Sequence, residues 1–236
     1  LADANAFNAE ILARAAAEAE DAGRVPEAVK LYNLAGAYDI VIGVLARALG
    51  GALSADVPGD REREMEKTAR DVLRHYERTN RAPGREREAV VRLLRVRDAL
   101  DAKAAGRPDV ALEVMESTGL VPLDGDVARI ARRADEFGAL HDALQRNLPQ
   151  YLTLTMDLIA GVYARVKASG GADTARLMAC ASLWWSLGAG TDNREQTMDT
   201  LRQKARSLLV FAGALKYRMA PDVYAYLAQK DVEICL

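Results

Sequence analysis

Metal, thiol and acid–base chemistry rests on a few residue types at fixed spacings, and this chain supplies them sparsely. Its 2 histidines are His75 and His141. Neither has a second His or a Cys three or four residues away, the spacing that aims two metal ligands from one helical face. His75 sits among charges and His141 follows Leu140. Both read as ordinary surface or partly buried histidines. Cys180 falls on an apolar helical face, where a thiol behaves as a small hydrophobe. Cys235 stands next to the last residue. Two cysteines so far apart give no disulfide framework and fit a reducing compartment. Ser54, Ser169, Ser182 and Ser207 lack the strand–turn–helix setting of a nucleophile elbow. Neither a dinucleotide-binding Gly-x-Gly-x-x-Gly turn nor a phosphate-cradling Gly-x-x-x-x-Gly-Lys-Ser/Thr loop occurs. Glu62, Glu64, Glu66, Glu86 and Glu88 alternate with arginines, which is the pattern of salt-bridged helix faces. The sequence therefore nominates no catalytic, metal or cofactor-binding residue and no small-molecule substrate, and it leaves partner-binding residues unassigned.

Trp184 and Trp185 are adjacent, so on a helix they point about 100° apart. Trp184 is expected in the core and Trp185 in a groove between neighbouring helices. The alternative is an aromatic anchor for a partner, a role in which Trp is enriched.

The elements that would position any such residues are helical throughout. Half of the residues are hydrophobic (50%), Phe occurs only 3 times, and alanine is abundant, a composition that suits close-packed helices better than strands. The net charge is −2 with both signs interspersed, unlike the basic face of a direct nucleic-acid binder. The apolar stretch Tyr151–Val166 is interrupted by Asp157 and Arg165. It is too short and too charged for a membrane span of roughly 20 residues, and is expected as a helix buried on several sides. No secretory signal pattern is visible. The chain begins at Leu1 without Met and is expected to be a fragment lacking its N-terminal part.

Gly and Pro divide the chain into about eleven helices. Asn5 or Asn8 is expected to cap a first helix that carries Ile11, Leu12 and Ala15 and ends at Gly23. Pro26 suits the first turn of the next, where its missing N–H is harmless. A third helix runs from Tyr38 to Leu53 on a stripe of Val41, Val44, Leu45 and Leu49, and a loop follows over Ala52–Asp60. Residues 61–81 and 85–105 read as a charged, exposed helical hairpin with narrow apolar stripes. Beyond it, short helices are expected at Val127–Phe137 and Leu140–Leu148. Long ones follow from Pro149 to Val166, around Leu177–Leu187, and after Thr191 or Asp192. The last of these carries a seam of Met198, Leu201, Ala205, Leu208, Ala212, Leu215 and Met219 at alternating spacings of three and four. It is expected to meet the preceding helices. Pro221 opens a final helix to Ile234. No strand alternation appears.

Residues 23–36 recur, more weakly, at 106–119. Gly23, Ala28, Tyr32 and Gly36 correspond to Gly106, Ala111, Met115 and Gly119. In each copy a Gly ends one helix, an Ala admits a close neighbour, and a bulky residue one turn later fills the next groove. Helical hairpins of this kind stack into solenoids, each burying its face against the next.

Three stretches carry a family likeness: Ala-Gly-Arg-Val-Pro-Glu-Ala-Val-Lys-Leu-Tyr-Asn-Leu-Ala-Gly at 22–36, Ala-Leu-Glu-Val-Met-Glu-Ser-Thr-Gly-Leu-Val-Pro-Leu at 111–123, and Phe-Ala-Gly-Ala-Leu-Lys-Tyr-Arg-Met at 211–219. In this order and spacing the chain resembles the C-terminal part of an inner-ring scaffold nucleoporin family. That family is called nucleoporin-interacting component in yeast and the ninety-three kilodalton class in animals. The Ala- and Arg-rich composition is similar to that of filamentous-fungal members. The resemblance implies an all-α antiparallel helical-hairpin stack, an α-solenoid, over 1–236. It implies a structural, non-enzymatic role in the symmetric core of the nuclear pore complex at the nuclear envelope, supporting nucleocytoplasmic transport, without a cofactor. Its implied partners are other nucleoporins, among them a linker peptide of the membrane-associated inner-ring nucleoporin. It places no binding residue.

The residues alone leave two other readings open. One is a tetratricopeptide-like adaptor that captures a partner peptide in solution, because Gly23, Val25, Ala28, Tyr32 and Ala35 suit that repeat. Such adaptors hold a period of about 34 residues over three or more repeats, whereas these copies lie 83 apart. The other is a helical enzyme, for which no motif speaks.

Overall fold

In the computed structural model, residues 2–53, 59–79, 84–168 and 193–235 are described. They form eleven helices, and no strand occurs among them. In chain order these are α1 (Ala2–Asp21), α2 (Val25–Leu34), α3 (Tyr38–Ala52), α4 (Asp60–Thr79), α5 (Gly84–Ala104), α6 (Pro108–Thr118), α7 (Val127–Phe137), α8 (Asp142–Gln145), α9 (Leu148–Ala168), α10 (Asn193–Ala214) and α11 (Pro221–Cys235). Two compact units emerge: Leu1–Leu94 with His141–Leu144, and Arg95–Leu140 with Gln145–Leu236. Neighbouring helices pack on one another within each unit, as in an α-solenoid.

In the first unit α2 packs on α1 and α3, and α4 on α3 and α2. Gly23 has φ +70°, and Arg24 N–H donates to Ala19 O at 2.8 Å. This backward bond across a left-handed glycine ties off α1. Pro26 occupies the first turn of α2, and Gly36 (φ +75°) closes it with the same geometry, Ala37 N–H donating to Tyr32 O at 3.0 Å. Ala16 and Ala19 of α1 and Ala28 of α2 are fully buried, the small residues that close helix approach needs. Ile11, expected on the apolar face, is instead half exposed. The predicted caps also differ. α1 begins at Ala2, so Asn5 and Asn8 lie inside it, the alanines at 2, 4 and 6 carrying the helix further than an Asn cap would allow. The α3 stripe Val41, Val44, Leu45 and Leu49 is buried as expected. α4 buries Met65, Ala69, Leu73 and Tyr76 on one side and also Glu66, while Val72 is only half-buried. Tyr76 stands edge-on to Tyr38, ring centroids 5.3 Å apart, and its hydroxyl donates to Asn33 Oδ1 at 2.8 Å.

In the second unit α9 is the central helix, contacting α6, α10 and α11, while α10 contacts α7, α9 and α11. Neighbours on several sides explain why α9 buries more than half of its circumference, with Tyr151, Leu154 and Leu158 beside the stripe of Leu152, Met156 and Tyr163. The polar Thr155 is tolerated there because its hydroxyl donates to Tyr151 O at 2.6 Å. Gly161 faces Pro108 at the start of α6, where a β-carbon would lie 3.4 Å from the proline ring. Phe211 of α10 meets Phe137 of α7 at 6.3 Å and 71°, the edge-on arrangement aromatic quadrupoles favour. The α10 seam is buried as predicted from Leu201 through Ala212, with Met198 half-buried, but the helix ends at Ala214. Leu215 and Met219 are buried from the following connection instead. Periodicity in the sequence records burial, and here burial outlasts the helix. The expected helix at Leu140–Leu148 is only the single turn α8, and Leu148 already belongs to α9. The expected helix around Leu177–Leu187, with Cys180, Trp184 and Trp185, lies outside the described residues, as do the expected caps Thr191 and Asp192.

Candidate functional site

The residues with chemical potential are dispersed and occupied structurally. His75 is exposed on α4 beside Tyr76. His141 accepts the Ala143 N–H on Nδ1 at 3.2 Å, capping α8. Ser207 is buried and donates to Gln203 O at 2.8 Å, one turn back on its own helix. Cys235 is exposed. Ser54, Ser169 and Ser182 lie outside the described residues. Glu88 pairs with Arg92 at 2.5 Å along α5, the helix-face pairing the charge pattern predicts, while Glu77 pairs with Arg87 between α4 and α5. Glu66 departs from it by turning inward. Among the described residues no group of three or more His, Cys, Asp and Glu converges as a metal set, and no described helix is long and apolar enough to cross a membrane.

The second unit carries a cleft of about 620 Å³ between the end of α6, the turn that follows, α7 and one residue of α10. Its shape begins with the chain reversal at Gly119 (φ +62°). There the Thr118 hydroxyl donates to Met115 O at 2.6 Å and accepts Leu120 N–H at 3.2 Å, holding the buried Leu120 under the turn. Val121, Pro122 and Leu123 form the apolar part of the lining. Asp126 then caps α7, accepting from Ala128 N–H at 3.0 Å and Arg129 N–H at 3.2 Å, an N-cap placement that fits the helix dipole.

Buried Ile130, Ala134 and Phe137 fix which way α7 faces. The flanking stripe, Arg129, Arg132 and Arg133, consequently lines the cleft. Arg129 donates to Asp124 at 2.6 Å and Arg133 pairs with Glu136 at 3.4 Å. Across the cleft Lys204 of α10, itself buried, donates to Glu116 of α6. Each lining carboxylate is thus engaged by a cation. Arg132 is exposed and has no ion-pair partner among the described residues. A smaller hollow of about 230 Å³ lies by Phe137, Leu215 and the exposed Tyr217, its rim held by Gln145 donating to Gly138 O and Leu140 O at 3.0 and 2.8 Å. Elsewhere in the unit, Asp157 of α9 accepts from Lys103 at 2.6 Å and from the Tyr226 hydroxyl. Burial, reinforced by that hydrogen bond, pushes the Tyr226 phenol up to about 12. This network ties α5 and α11 to α9.

The cleft presents fixed charge and a short apolar floor, suited to binding. The sequence reading missed it because its key pair, Glu116 and Lys204, lies 88 positions apart. The one visible signal was the arginine stripe on α7.

Comparison with known proteins supplies the remaining facts. The Nup93/Nic96 family model matches residues 1–226. The chain is similar to nuclear pore complex protein Nup93 of Danio rerio, 31% identical over 230 residues, 94% of this chain and 26% of that protein. It is similar to nucleoporin NIC96 of Saccharomyces cerevisiae, 25% identical over 98% of this chain and 27% of that protein. Among solved structures it is similar to the crystal structure of Chaetomium thermophilum Nic96 SOL. That likeness has a TM-score of 0.76 at 25% identity, over 94% of this chain and 33% of the other. The chain spans about a quarter of the length of these curated relatives.

Proposed function

The chain belongs to the Nup93/Nic96 family, and from that premise we propose that it is a non-enzymatic scaffold segment of the nuclear pore complex inner ring, acting at the nuclear envelope in support of nucleocytoplasmic transport. In this reading residues 1–236 are the C-terminal part of an α-solenoid, and the charged helices at about 61–105 form an exposed hairpin on it. Its partners are other nucleoporins, engaged through grooves between helices. The observation that carries the reading is a family match over 1–226, joined to the likeness of fold with Nic96 SOL over nearly the whole chain. The physics agrees. A helical stack offers inter-helix grooves for short segments, and repeated weak contacts in a symmetric ring add through effective concentration.

The test is to express the full protein, tagged, with and without this segment, in the cells it comes from. The intact protein should concentrate at the nuclear rim and capture other nucleoporins. Deletion should remove at least one of those captures. An even distribution of the intact protein through the cell, or unchanged captures after deletion, would overturn the reading.

A further inference from the structure

We propose that the α7 cleft of the second unit is a docking site for a linear segment of another protein that carries a carboxylate beside an apolar side chain. This rests on the reading of the chain as a binder of other proteins and adds where one contact falls and what chemistry it recognises. Charge complementarity selects the occupant. Four cations line the cleft, Arg129, Arg132, Arg133 and Lys204, against Glu116, Asp124 and Glu136. The three carboxylates are each engaged, by Lys204, Arg129 and Arg133 respectively. Arg132 remains exposed and without an ion pair among the described residues. A guanidinium presents a planar fork of donors that matches a carboxylate bidentately. The surplus is thus about one anionic side chain.

A nucleic acid fits poorly, because three carboxylates on the same walls would repel successive phosphates. The floor of Val121, Pro122 and Leu123 favours an apolar neighbour to the carboxylate. The volume of about 620 Å³ lies within the range of pockets that hold small ligands, about 300–1,000 Å³. Only a few consecutive side chains of the partner therefore seat in it. The walls are already in place: Lys204–Glu116 fixes one side, and the Asp126 cap with the buried face of α7 fixes the other.

The experiment titrates the intact chain into a fluorescein-labelled peptide with Glu between Leu and Phe, read by fluorescence anisotropy. Its Glu→Gln counterpart and a labelled oligouridylate run in parallel. The Glu peptide should bind saturably and weaken as salt rises. The Gln peptide should bind about ten-fold more weakly, the loss expected for one charge-assisted bond. Arg132→Glu should weaken the Glu peptide by at least that factor, while Arg132→Lys retains most of the binding. Arg132 is exposed, so circular dichroism should be unchanged in both variants. Absence of saturable Glu-peptide binding, equal binding of the Gln peptide, indifference to Arg132→Glu, or tighter binding of the oligouridylate would each overturn the proposal. Rim localisation of the full protein carrying Arg132→Glu separates the two readings. Any of those overturning outcomes, with the intact protein still concentrated at the rim, sinks the cleft alone.

Discussion

The corner at residues 23–36 and the corner at 106–119 are built alike at the backbone and differently at the side chains. Gly23 and Gly106 both have φ +70°. Arg24 N–H donates to Ala19 O, and Arg107 N–H to Ala102 O, at 2.8 and 2.9 Å. Pro26 and Pro108 open the next helix, and Ala28 and Ala111 are both fully buried. Even the glycine carbonyls are used alike: Gly23 O accepts from Arg61 and Gly106 O from Arg165. The divergence comes one turn on. Asn33 accepts a neutral hydrogen bond from Tyr76, whereas Glu116, at the matching position, accepts from a buried lysine, Lys204. The first corner closes against an aromatic helix face. The second contributes its acid to the wall of an open cleft. A local code thus repeats the turn, and one polar position after it decides whether the surface beyond is sealed or left for a partner.

Several substitutions probe this comparison. The largest effect is expected where the corners agree. Ala28→Trp and Ala111→Trp should each cost about 1–3 kcal/mol by overpacking, measured by chemical denaturation. Unchanged stability in either would break the equivalence. The next effect should separate the corners. Lys204→Ala strips the cation from a partly buried Glu116 and should cost about 2 kcal/mol, less than a fully buried pair because Glu116 keeps some solvent. Tyr76→Phe removes a neutral bond and should cost about 1 kcal/mol. Equal losses would mean that the charge difference carries no weight. The smallest effect restores the symmetry. Gly23→Ala and Gly106→Ala should each cost about 1 kcal/mol, and by similar amounts, because the penalty is the left-handed backbone. No side chain stands closer than 3.4 Å to an added β-carbon at either site.

What was legible in the sequence follows the same division. Gly23, Gly36, Gly106 and Gly119 declare left-handed turns through their own chemistry, and Pro26 and Pro221 declare helix starts. Val41, Val44, Leu45 and Leu49 declare a buried face through spacing. These are short-range properties, so one chain reveals them. Leu215 and Met219 misled because the burial period continues after the helix stops at Ala214. Asn5 and Asn8 misled because alanine-rich flanks extend α1 past a plausible cap. The cleft was illegible for a different reason. Nothing near Glu116 in sequence announces Lys204, and the outward stripe of α7 has meaning only once Gly119 and Asp126 have set the walls around it.

The tied-off glycine corners have a further consequence. Linkers between helices are ordinarily where proteases enter and where evolution inserts residues. At 22–24 and 105–107 the turn amides are instead stapled back into the preceding helix, and arginines reach over from elsewhere to cover the glycine carbonyls. Deuterium should enter these bends about as slowly as it enters the helices they join. Added residues there should be rejected, leaving length variation among relatives to accumulate at other connections.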